Sequence, residues 1–113
     1  MYKLINIKKD YPGVDLALYG LDRAINEGYA CGDKVLVLVH GYGSHGVGGE
    51  IKKAIRGQLG TLKKQNKIAT YVGGEEWGTS KDCALIQSVC PSTIISKDIG
   101  NLNSGITIVL LNN

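Results

Sequence analysis

The sequence has no apolar run approaching the roughly 18 residues that a membrane-spanning helix requires. Its opening stretch, MYKLINIKKD, lacks the continuous apolar core of a secretory signal. No segment repeats, none is of low complexity and none reads as a linker. Cysteine is sparse. Cys31, Cys83 and Cys90 are odd in number and form no C-x-x-C pair, so neither a disulfide framework nor a zinc site is indicated. Cys83 and Cys90 read instead as small buried hydrophobes on one helix face. These absences lead us to expect one cytoplasmic domain over residues 1–113, in reducing surroundings, with no membrane contact and no obligate protein partner.

The bulk composition, 43% hydrophobic and 20% charged, is that of an ordinary globular chain. The net charge of +3 says little, but its distribution says more. Between Val47 and Lys67 there are six basic residues (Lys52, Lys53, Arg56, Lys63, Lys64 and Lys67) against one acid, Glu50. A locally positive face of this kind is the electrostatic footprint of phosphate-backbone binding.

Periodicity predicts the elements. Tyr2 to Lys8 alternates as a strand. From Val14 to Ile25 the apolar residues recur at three-and-four spacing, a helix that Gly28 should stop. KVLVLV, from Lys34 to Val39, is apolar on both alternations and so belongs in a sheet covered on both faces. A helix follows from about Val47 to about Lys64. At 100° per residue its Ile51, Ala54, Ile55, Leu59 and Leu62 share one arc, and Lys52, Arg56 and Lys63 share an adjacent one. KIATYV reads as a strand, GGEEWGTS as a loop, and KDCALIQSVC as a short helix that Pro91 ends. After the glycine- and asparagine-rich KDIGNLNSG comes a last apolar strand, ITIVLL. The order favours an α/β, two-layer α+β sandwich: a four-stranded mixed sheet, two main helices on one face and a short inserted helix.

The segment HGYGSHGVGGE, between strand and helix, holds five glycines in the nine residues Gly41 to Gly49. Glycine is needed where φ is positive or where ligand atoms approach the backbone closely. A strand leading through such a loop into a helix gathers backbone N–H groups toward an anion. A plain surface turn needs fewer glycines. Two known phosphate patterns fail. Gly41, Gly43 and Gly46 match G-x-G-x-x-G, but no acid follows at the distance that would hold a ribose. Gly43 to Gly48 has P-loop spacing, but Gly49 and Glu50 stand where lysine and Ser/Thr are required.

VLVLVHGYGSHGVGGEIKKAI resembles the strand–loop–helix signature of the Smr (small MutS-related) domain family, H-G-x-G-S-x-G-x-G-x-[IL]-[KR]. GNLNSGITIVLL resembles that family's closing loop and last strand, and the stretch between looks like an insertion of a clostridial-type subset. The resemblance implies a fold similar to the C-terminal domain of a translation initiation factor. It also implies nucleic-acid binding, with phosphodiester cleavage in some members. Carried over by position, it makes His40 the catalytic candidate, touching the scissile phosphate or moving a proton as an adjustable imidazole can. Gly41, Tyr42, Gly43, Ser44, His45, Gly46 and Gly48 would line the loop that receives the phosphate, with Lys52 and Arg56 beside them. The family's first strand usually ends in D-L-H-G or D-L-R-G, and this chain has NIKK there. Asn6 and Lys8, two apart on a strand, would share a face toward the ligand, but asparagine cannot ionise.

Some residues divide between readings. His40 reads as accessible beside its glycines, Tyr42 as a stacking group, and Trp77 as core more than as a stacking group. Glu75, Glu76 and Asp98 could supply a missing carboxylate for a divalent metal, but no paired-ligand spacing supports one, so no cofactor is indicated. Asn101, Asn103 and Gly105 would shape the second loop. The leading expectation is a nucleic-acid-binding domain with endonuclease activity on DNA or RNA. The competing ones are a binding module that has lost cleavage and a small-molecule phosphate enzyme.

Overall fold

The structure is a computed structural model that describes residues 2–10, 13–41, 47–91 and 105–112, with the backbone alone for Lys8, Asp10, Val47 and Gly48. Its elements are β1 (Tyr2–Asn6), α1 (Ile7–Asp10), α2 (Val14–Cys31), β2 (Val35–Val39), α3 (Val47–Lys64), β3 (Thr70–Gly73), α4 (Asp82–Val89) and β4 (Ile106–Leu110). A single 3-10 turn, Gly74–Glu76, follows β3. The four strands form one mixed sheet in the order β1-β2-β4-β3. β1 runs parallel to β2, and β4 is antiparallel to both β2 and β3.

The continuously apolar β2 and β4 occupy the two central positions, as strands covered on both faces must. Alternate residues serve different layers. Leu36, Leu38, Val109 and Leu111 pack under α2 and α3 with Leu21, Ile25, Ile51, Ile55 and Leu59. Val35, Val37, Ile106, Ile108 and Leu110 face the other way, toward Trp77 and α4, where Cys83, Ile86 and Cys90 are buried. The two main helices thus share one face as the sequence predicts, and the short helix closes the opposite one. Trp77 is in the core, and Cys83 and Cys90 are free, buried thiols.

Several element ends depart from the sequence reading, and β3 begins at Thr70, three residues after the Lys67 expected. α2 does not stop at Gly28 but runs on to Cys31. Gly28 is buried in it because a Cβ there would lie 2.8 Å from Leu111 Cδ1, so its smallness lets helix and sheet approach. The helix ends at Gly32, whose φ of 76° permits the left-handed cap; the Asp33 N–H donates to the Gly28 carbonyl at 2.9 Å. The first strand is also shorter than expected. It ends at Asn6, whose Oδ1 accepts the Lys9 N–H at 2.9 Å and starts the α1 turn. Lys8 therefore sits in a helical turn, not two residues along a strand from Asn6.

Among the described residues no helix is long and apolar enough to cross a membrane. α3 ends as its sequence allows. Asn66 takes φ 59°, and the Lys67 N–H reaches back to the Leu62 carbonyl at 2.9 Å.

Candidate functional site

β2 ends at Val39, and its ladder continues one residue further. The N–H groups of His40 and Gly41 both donate to the Gly105 carbonyl at 3.0 Å. Gly41 then turns with φ 84°, a conformation that a side chain would strain, so here the glycine is required by the turn itself. Its amide is used within the protein. Tyr42, Gly43, Ser44, His45 and Gly46 lie outside the described residues, as do Asp98, Asn101 and Asn103. Gly48 lies in the first turn of α3.

By strand alternation His40 falls on the α3 side of the sheet, in line with Leu36 and Leu38. It is wholly buried, in contrast to the accessible position expected from its glycine neighbours. Both ring nitrogens are engaged. Nδ1 lies 3.0 Å from the Gly41 carbonyl, which can only accept, so Nδ1 carries the proton. Nε2 lies 2.8 Å from Thr107 Oγ1 and takes its hydroxyl proton. Burial is the main cause that lowers the His40 pKa to about 4, with the Arg56 and Lys52 charges adding to it against the Gly41 bond. The ring is neutral at physiological pH.

Thr107 also accepts the Arg56 Nε–H at 3.0 Å. Arg56, one turn along α3 from Lys52, then makes a two-pronged pair with Glu75. Nη1 and Nη2 donate to Oε2 and Oε1, each at 2.7 Å, and Nη2 also donates to the Ile106 carbonyl at 3.2 Å. Lys52 Nζ stands 3.5 Å from the same carboxylate. The Arg56 hydrogen bond is the main cause holding the Glu75 carboxyl down to about 2. The pair lies directly over Gly73, where a Cβ would come within 2.5 Å of Glu75 Oε1 and 2.8 Å of Arg56 Nη2.

The result is a continuous chain from His40 through Thr107 and Arg56 to Glu75, at the carboxyl end of β2. It joins His40, singled out by its motif, and Arg56, singled out by its place on the basic arc of α3, to two that sequence reasoning gave other places. Thr107 carries one signal in the sequence, being the single polar residue of ITIVLL. Glu75 stands out in the sequence only as a carboxylate for a metal, and nothing in its spacing indicates an arginine partner. The positive arc of α3 is therefore partly neutralised by the protein's own carboxylate. Beside the pair, an open groove of about 700 Å³ passes between α3 and β3, lined by Arg56, Lys63, Lys64, Tyr71 and Asp82 among others. Among the described residues no cluster of histidine, cysteine or carboxylate side chains is placed to hold a metal ion.

The sequence matches no protein-family model and no curated protein. The fold does find a counterpart among solved structures, the Smr domain of Thermus thermophilus MutS2. The two agree with a TM-score of 0.60 at 22% identity, over 98% of this chain and 99% of that one. The chain has the Smr-domain fold, as the glycine-rich signature led us to expect.

Proposed function

We propose that this domain binds nucleic acid, receiving the phosphate backbone at the carboxyl end of β2 and along the cationic flank of α3. The observation that carries this reading is the convergence of Lys52 and Arg56 beside His40, at the point where β2 enters the glycine-rich segment. The likeness to an Smr domain agrees with it. Lys53, Lys63 and Lys64 extend the charge along the same helix and would supply sequence-independent attraction.

Binding of this kind weakens steeply with salt, because each neutralised phosphate releases a counterion. The test is fluorescence anisotropy of labelled single- and double-stranded oligonucleotides over a salt series. The expected result is binding whose logarithm falls linearly with log salt, and a shallower slope for Lys52→Ala. Binding indifferent to salt, or none at low salt, would refute the assignment. A mononucleotide that saturates the protein while polynucleotides do not would point to a small-molecule phosphate enzyme.

Phosphodiester cleavage is the second reading, and the neutral His40 ring beside a cationic cluster is what favours it. The cations would stabilise charge developing on phosphate oxygens. To take a proton, Nε2 would first have to exchange the Thr107 hydroxyl for a reacting group, and at a pKa of about 4 it is a weak base. A gel assay on branched DNA, single-stranded DNA and structured RNA decides this. Cleavage abolished in His40→Ala supports it, whereas no cleavage, or equal cleavage by the variant, leaves a domain that binds only.

A further inference from the structure

We propose that Glu75 is a specificity-determining residue: its carboxylate occupies the anion seat formed by Arg56 and Lys52, and a ligand phosphate enters that seat only by displacing it. The inference rests on the nucleic-acid-binding reading above.

The donor inventory of Arg56 makes the argument. A guanidinium has five N–H groups in a fixed fork. Here one goes to Thr107, one to the Ile106 carbonyl and two to Glu75, which leaves a single N–H for anything else. A phosphate presents the same pair of oxygens to that fork as a carboxylate does. The two anions cannot both hold it. Lys52 closes on Glu75 from the side, at 3.5 Å, so both cations nearest the β2 end are committed to one carboxylate.

The seat is built to be emptied. Glu75 stands on a single 3-10 turn, its side chain is 35% exposed, and only Arg56 and Lys52 pair with it among the described ion pairs. Its carboxyl is ionised throughout the physiological range, so it competes at constant strength. Thr107 and Ile106 hold the other side of the guanidinium and would keep the fork aimed when Glu75 leaves.

A tethered carboxylate competes at an effective concentration of millimolar order or more, which a free phosphate monoanion does not overcome. A polynucleotide brings several phosphates at once, and contacts to the other lysines of α3 offset the broken pair. Glu75 thus selects polyanions over mononucleotides and inorganic phosphate.

The test uses the full chain, wild type against Glu75→Gln, with a short labelled oligonucleotide at fixed salt and, separately, inorganic phosphate alone. Glu75→Gln is expected to bind the oligonucleotide roughly tenfold tighter, as removal of a competing charge allows. It is also expected to take up inorganic phosphate that the wild type ignores, read by a shift of the Arg56 Nε–H resonance. Adding Arg56→Gln should cancel the gain in oligonucleotide affinity. Equal or weaker oligonucleotide binding by a folded Glu75→Gln overturns the inference while the wild type still binds. Should Glu75→Gln fail to fold, Glu75→Asp, which keeps the charge but draws it back from the fork, must still bind tighter than wild type. Equal or weaker binding by Glu75→Asp overturns the inference in its turn. If neither wild type nor variants bind any oligonucleotide at low salt, the nucleic-acid reading itself fails and takes this inference with it.

Discussion

Thr107 Oγ1 lies 2.8 Å from Nε2 of His40, so one hydroxyl proton joins residues 67 apart in sequence. The same oxygen accepts from Arg56, and this fixes the direction of the whole chain: guanidinium to hydroxyl to imidazole to the Gly41 carbonyl. The hydroxyl hydrogen-bonds both the buried ring and the cation.

Thr107→Val keeps the shape and removes that group. It leaves Nε2 of a fully buried histidine and the Arg56 Nε–H without partners, which costs about 1–3 kcal/mol for an unsatisfied buried group. Urea unfolding should show the loss, and Thr107→Ser should recover most of it. A Thr107→Val protein as stable as wild type would mean that the hydroxyl carries nothing.

The pH dependence of stability separates the two ionisable ends of the chain. The unfolded chain protonates His40 near its ordinary 6.5, whereas the folded protein resists until about 4. Between those values the unfolded state binds the additional proton. The stability tied to His40 is therefore complete above pH 6.5 and is lost as pH falls toward 4. His40→Gln should flatten the thermal midpoint over that interval. In nitrogen-resolved NMR, one of the two histidines should hold the Nδ1–H tautomer down to the bottom of it.

Glu75 acts in a lower window. Its carboxyl is held at about 2 against an ordinary 4.5, so its contribution is present above pH 4.5 and disappears as pH falls through about 2. A Glu75→Gln protein should lose midpoint less steeply than wild type across that range. Identical acid limbs would mean that the pair with Arg56 does not form in solution.

The fold could be read from the sequence where pattern alone decides it. The double-sided apolar run at Val35–Val39 had to be a central strand, and the split arcs of α3 had to give one buried and one cationic flank. The errors fell where a single contact decides. Gly28 reads as a helix stop on propensity, but Leu111 and Leu36 press against it, and packing overrides propensity. NIKK reads as strand on alternation, but the Asn6 side chain caps a turn. Arg56 and Lys52 could be found from helix periodicity, and His40 from its motif. Their engagement by Thr107 and Glu75 could not, because it depends on β4 and the 3-10 turn meeting α3, a pairing between segments 51 and 19 residues away from Arg56.

Two glycine-to-alanine substitutions give opposite outcomes and test this arrangement against helix propensity. Gly57 lies exposed in α3, and a Cβ added there would meet nothing within 4 Å. Gly57→Ala should therefore raise stability by about 0.5–1 kcal/mol, the ordinary difference between glycine and alanine in a helix. Gly73 lies under the Arg56–Glu75 pair, and its methyl would fall 2.5 Å from one partner and 2.8 Å from the other. Both contacts are with the ends of long side chains, so the pair gives way before the backbone does, at a cost of about 1–3 kcal/mol. Gly73→Ala should accordingly lose the acid dependence assigned to Glu75, and, with Glu75 displaced from the fork, it should bind oligonucleotide more tightly as well. Thermal melts at neutral and acid pH distinguish the cases. A Gly73→Ala protein with an undiminished acid limb would show that the pair sits elsewhere than over Gly73.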